Sequence, residues 1–189
     1  IAGLPAAMTA ASTDPRIAEQ IADCLRGPTM RVYPSEDVSG VCLGGAIKNV
    51  MAIAAGISDG LGFGHNARAA LITRGLAELI RLGKTLGGKA ETFMGLAGAG
   101  DLILTCTGDL SRNRSVGLRL GRGEKLDAIL ADLGMEAEGV HTAKALYQLA
   151  QTRHIDMPIV EQVYHVLYEG LPPKDAQRAL MERPSRRED

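Results

Sequence analysis

Aromatic side chains are scarce in this 189-residue chain, which has two Phe, four Tyr and no Trp. So few rings leave little to stack on the bases of single-stranded nucleic acid. The sequence also lacks an excess of charge of either sign. With a formal net charge of −1, no overall field draws it to nucleic acid or to an anionic membrane. Cysteines are few, odd in number and far apart. Cys24, Cys42 and Cys106 form no C-x-x-C pair and no zinc pattern with His65, His141, His154 or His165. No metal site is expected on that spacing, and a reducing cytoplasm is the expected location. No secretory signal is visible, and the chain opens with Ile1, which is not expected to be a natural start.

Glycine is abundant, at 23 residues, in a chain that is 46% hydrophobic and 23% charged. That composition points to closely packed helices and tight loops, with enough chain for one well-buried core. One run, Val38 to Ile57 (VSGVCLGGAIKNVMAIAAGI), carries a single charge, Lys48, over about the length that spans a bilayer. A charge is costly at the centre of such a span, and no aromatic belt flanks it. A buried helix is expected there, and no transmembrane segment.

Residues 4–12 (LPAAMTAAS) read as a short apolar strand. Asp14-Pro15 caps and opens the helix IAEQIADCLRG, and Met30 to Tyr33 reads as a second strand. Parallel strands need cover on both faces, which one βαβ unit cannot supply, so residues 1–35 read as the trailing edge of a larger α/β domain. From residue 36 to 189 the pattern is helical. Helices are expected at Val41–Ile57, Asn66–Leu86, Glu91–Leu96, Ser111–Leu120, Lys125–Leu133, Val140–Arg153, Pro158–Tyr168 and Lys174–Met181. The fold class is mainly α: an all-helical C-terminal domain preceded by a βαβ unit.

Three places carry candidate chemistry. Lys48, in GGAIKNV, has small and apolar helical neighbours. Burial there would suit it to proton transfer, while a stem reaching to the surface is the alternative. In Gly98-Ala99-Gly100-Asp101 the glycines allow close backbone approach and put Asp101 at a turn, with a helix N-cap as the alternative. Ser111 is a natural N-cap for a helix whose first N–H groups attract anions. The Arg112 fork and the Asn113 amide would complete a phosphate cradle, although a capped helix with solvated arginines reads the same way. Gly60-Leu61-Gly62-Phe63-Gly64 follows a helix at the wrong spacing for a dinucleotide loop and reads as a connection. Glu138-Gly139 reads as a loop-to-helix junction.

Taken in order, GGAIKNV, SDGLGFGHNARAALITRGLAE, GLAGAGDLILTCT, SRNR and AEGVHT closely resemble the bacterial-type NAD(P)-dependent glycerol-3-phosphate dehydrogenases, over nearly the whole chain. The resemblance implies an oxidoreductase that interconverts sn-glycerol 3-phosphate and dihydroxyacetone phosphate for glycerophospholipid synthesis. Lys48 would be the proton acceptor. Asp101, Ser111, Arg112 and Asn113 would bind substrate together with Lys48, and Asn49 and Thr105 would line the same site. Arg112, Glu138 and Glu136 would reach the NAD(P) cofactor. Residues 1–35 would then be the end of a Rossmann-type NAD(P)-binding domain, and residues 36–189 the helical substrate domain. The family's G-x-G-x-x-G loop would lie upstream of Ile1. The chain is therefore expected to be a fragment without the main cofactor site and inactive by itself, with a homodimer left open. The β-hydroxyacid dehydrogenases place an Asn four residues after the lysine, where this chain has Ala52. A non-catalytic helical module is the alternative of another class.

Overall fold

The computed structural model describes residues 3–134 and 137–184. Strand β1 (Ala6–Ala11), helix α1 (Pro15–Leu25) and strand β2 (Met30–Ser35) form the expected unit, a two-stranded parallel sheet with Ala6 opposite Met30. Asp14 accepts from the N–H of Arg16, and Pro15 opens the helix. The unit has a small core of its own, Ala10, Ala22 and Val32. Its remaining apolar surface is bare. Leu4, Met8 and Tyr33 are exposed, as are Ile17, Ile21 and Leu25, which follow one another at i, i+4 along α1.

The main core is built around α2 (Val38–Gly60). It begins three residues before the expected Val41 because Asp37 caps it, accepting from Gly40 N at 2.8 Å and from Lys89 N at 2.8 Å. Ile47 and the run Val50–Ala55 are buried, as a helix apolar on all sides requires. By length and composition α2 could cross a bilayer, yet 67% of its most apolar stretch is buried within the protein. It is wrapped by α3 (Gly64–Thr85), α5 (Asp101–Thr107), α6 (Arg112–Gly121), α8 (Glu138–Arg153) and α9 (Pro158–Tyr168). Helices α4 (Ala90–Met94), α7 (Leu126–Leu133) and α10 (Pro173–Met181) complete the layer.

Glycine sets the closest crossing. A Cβ on Gly117 of α6 would lie 2.0 Å from the Ile53 carbonyl oxygen, and one on Gly56 of α2 would lie 2.1 Å from that of Arg114. With Gly60 and Gly121 one turn further on, the two backbones run in direct contact. Three of the four tyrosines, Tyr147, Tyr164 and Tyr168, gather between α8 and α9, the first two stacked at 4.0 Å.

GLAGAGD is not the turn expected from its glycines. Leu96–Gly100 is a π-helical turn that runs straight into α5. Leu102 and Cys106 are buried four residues apart, a helical signal outweighed in the sequence by the preceding glycines. The wide turn lies against α2, where a Cβ on Gly44 would sit 2.1 Å from the Ala97 carbonyl oxygen.

Candidate active site

Lys48 projects from the middle of α2, and Asp101 is the first residue of α5. The Gly44–Ala97 contact brings these two helices together, and Lys48 Nζ donates to Asp101 Oδ2 at 2.5 Å. The side chains are 25% and 32% exposed. Lys48 is thus neither sealed among apolar neighbours nor extended free into solvent. Its charge is compensated by a carboxylate within reach of solutes. Asp101 does not cap its helix, since Gly100 stands at the N-cap position without a side-chain bond. Thr105, one turn along, donates to the Asp101 carbonyl at 2.6 Å and reaches its Oδ1 at 3.4 Å. The Thr105 hydroxyl thus bonds the Asp101 backbone and lies beside the carboxylate that holds the lysine.

The other half of the site is a meeting of three helices. Ser111 caps α6 as expected, its Oγ accepting from Arg114 N at 3.2 Å. Arg112 is exposed at the first helical position and Asn113 is buried at the second. The Asn113 Oδ1 accepts from Gly139 N at 2.9 Å, so one helix caps another across the site. With the carbonyl side of the amide so used, its NH₂ group is the half left to donate to a ligand. Gly139 is needed at that position, because a Cβ there would come within 2.7 Å of both Asn113 Oδ1 and the Asn49 carbonyl oxygen. Asn49, next to Lys48, is buried and donates to Glu138 Oε2 at 3.2 Å. It thereby holds an exposed carboxylate at the α8 N-terminus. Glu136 lies outside the described residues.

Sequence reasoning passed over a second charged group beside α6. Asp59 Oδ2 accepts from Arg68 Nη1 at 2.9 Å and from Arg114 Nε and Nη2 at 3.1 and 2.7 Å. The spacing of Asp59, Arg68 and Arg114 in the chain has no local period, and only SRNR hinted that its second arginine had a task. Glu78 was also passed over. This buried carboxylate on α3 accepts from the N–H groups of Ile159 and Val160 at 2.7 and 3.3 Å and caps α9. Burial pushes its pKa up to about 7, against the pull of those two N–H groups.

Cys106 is buried, and burial raises its thiol to about 12, which leaves it a packing residue. Among the described residues no cluster of His, Cys, Asp or Glu could hold a metal. A cavity of about 730 Å³ between α2, α3, α9 and α10 contains none of the expected site residues. A shallower hollow joins Thr9, Tyr33 and Pro34 of the sheet to Thr92 and Leu96.

A carboxylate-held lysine on one helix, a side-chain-capped helix start on a second and an exposed carboxylate on a third are thus carried by neighbouring helices of one fold. Residues 37–178 match the family described as NAD-dependent glycerol-3-phosphate dehydrogenase C-terminus, and the chain belongs to that family. It is 67% identical over 98% of its length to glycerol-3-phosphate dehydrogenase (NAD(P)+) of Acidithiobacillus ferrooxidans, covering 54% of that protein. It is 56% identical over 100% of its length to the enzyme of that name from Nitratidesulfovibrio vulgaris, covering 57%. The crystal structure of glycerol-3-phosphate dehydrogenase from Coxiella burnetii superposes with a TM-score of 0.93 at 47% identity, over 96% of this chain and 56% of that one. The chain spans about half the length of the curated relatives it matches.

Proposed function

We propose that the protein of which this chain is the helical part interconverts sn-glycerol 3-phosphate and dihydroxyacetone phosphate with NAD(P)H, feeding glycerophospholipid synthesis. The observation that carries the proposal is the 2.5 Å pair of Lys48 on α2 and Asp101 on α5, with α2 also meeting the start of α6. Lys48 Nζ gives a proton to the oxygen on C2 during reduction and takes it back during oxidation. Asp101 holds the ammonium in position, and Thr105 steadies Asp101. The Ser111 cap, the first-turn N–H groups of α6, the Arg112 guanidinium and the Asn113 NH₂ hold the phosphate.

NAD(P)H, when bound, supplies the hydride that reaches C2. The donor set fits such a group in part. Glu138, held by Asn49, suits ribose hydroxyls, Arg112 suits a phosphate, and Glu136 is proposed as a further cofactor contact. The larger share of that contact belongs to the half this chain does not span. Residues 1–35 are proposed as the end of the NAD(P)-binding domain and residues 36–189 as the substrate domain. The bare apolar stripe of α1 and the hollow at the strand ends support this division.

A cytoplasmic location belongs to the same reading and is supported by the free thiols of Cys24, Cys42 and Cys106. So does a homodimer, supported by the exposed Ile103, Leu104 and Leu110 and tested by light scattering of the full-length protein. The decisive assay follows NAD(P)H oxidation by the full-length protein with dihydroxyacetone phosphate. Absence of turnover would sink the proposal.

A further inference from the structure

SRNR holds two arginines two residues apart on α6, and i, i+2 positions point to different sides of a helix. Arg112 is exposed at the helix start, whereas the Arg114 side chain is only 14% exposed and wholly engaged by the protein. Its Nε and Nη2 both donate to Asp59 Oδ2, at 3.1 and 2.7 Å, and its Nη1 donates to Asp109 Oδ1 at 3.1 Å. Its backbone N–H closes the Ser111 cap. Asp59 is 11% exposed and stands in the last turn of α2, where a helix dipole disfavours a carboxylate. Arg68, itself joined to His65 Nδ1 at 2.7 Å, supplies the second guanidinium that makes the anion tolerable.

We infer that Arg114 is a positioning residue, which fixes the phosphate-holding start of α6 relative to the lysine-bearing helix α2. This rests on the function proposed above. The need for such a pin follows from the helix crossing. Gly56, Gly60, Gly117 and Gly121 let α2 and α6 touch backbone to backbone, and the apolar side chains packed beside them, Val116 and Leu120 against Ile53 and Ile57, are less directional than an ion pair in fixing one helix on the other. The fork of Arg114 on Asp59 supplies that register. Its third arm reaches back to Asp109 across the loop carrying Leu110, which is 99% exposed and has no packing to hold it. The same residue therefore anchors the loop before the cradle and the helix after it. Its guanidinium is engaged chiefly by the buried Asp59.

The test uses the full-length enzyme, with wild-type turnover of dihydroxyacetone phosphate and NAD(P)H measured first. If wild type is inactive, the functional reading fails, whatever Arg114 does. With an active wild type, Arg114→Gln and Asp59→Asn are each expected to raise the KM for dihydroxyacetone phosphate on the order of tenfold, the equivalent of one charge-assisted contact. They should weaken competition by inorganic phosphate by the same factor, and leave the KM for unphosphorylated dihydroxyacetone unchanged. The KM increase in the double variant should be well below the product of the two single increases, because the Arg114–Asp59 contact is shared. Arg114→Lys, which keeps the charge but not the fork, should fall between and serves if the Gln variant does not fold. A lowered melting temperature with KM and phosphate competition unchanged would overturn the inference. So would equal losses with the phosphorylated and unphosphorylated substrates.

Discussion

Lys48 is placed by helix α2 and held by a residue 53 positions away, so its role depends on Asp101 as much as on its own chemistry. Lys48→Ala in the full-length enzyme is expected to lower turnover by about 10²- to 10⁴-fold, as loss of a general acid–base group does, with the circular dichroism spectrum unchanged. A decrease of only a few-fold would remove Lys48 from the proton-transfer role. Glu78 makes a prediction about stability. Its pKa rises from 4.5 to about 7 on folding, chiefly through burial. A carboxyl with a raised folded pKa contributes most below pH 4.5, and that contribution is lost as pH climbs to about 7. Melting temperature should therefore fall between pH 5 and pH 8, and Glu78→Gln should flatten that slope. An unchanged slope in the variant would show that another group sets it. The Ser111 cap was legible in the sequence, because capping follows local backbone rules. Glu78 and Asp59 were not, because their partners lie 81 and 55 residues away.

At the scale of elements, the α2–α6 seam depends on the absence of side chains. Gly117→Ala would put a methyl carbon 2.0 Å from the Ile53 carbonyl oxygen, which cannot move without breaking the ladder of α2. The expected cost is about 1–3 kcal/mol, as for other overpacked sites. At roughly 2–4 °C per kcal/mol for a chain of this size, calorimetry should record a melting point several degrees lower. Substitution at Gly123, which has open space around it but a φ of +91°, should act through backbone strain alone. Helices with a strong apolar period could be located from sequence within a few residues. The π-helical turn Leu96–Gly100 and helix α5 could not, since five residues with two glycines, preceded by Gly95, read as a loop until α2 is seen packed against them.

Over the whole molecule, the buried apolar side chains fall into two clusters of very different size. The helices around α2 share a continuous core, whereas the βαβ unit buries three side chains in a separate cluster and leaves Ile17, Ile21 and Leu25 bare. The chain as it stands is therefore expected to show no NAD(P)H oxidation with dihydroxyacetone phosphate and to bind NADH too weakly to titrate at micromolar concentration. The full-length protein should do both. Turnover by the chain alone would mean that its own residues suffice for the cofactor.

The sequence by itself determined the mainly helical class, the βαβ start, the buried nature of Val38–Gly60 and the five motifs that mark the family. These are matters of local periodicity, capping and composition, and they need no distant partner. Only the tertiary structure decided what compensates Lys48, why Asn113 caps α8, how Asn49 holds Glu138 and that Arg114 is bound to Asp59. Each of those is a contact across 26 to 89 residues, made by side chains that the crossing of glycine-lined helices brings within hydrogen-bond reach.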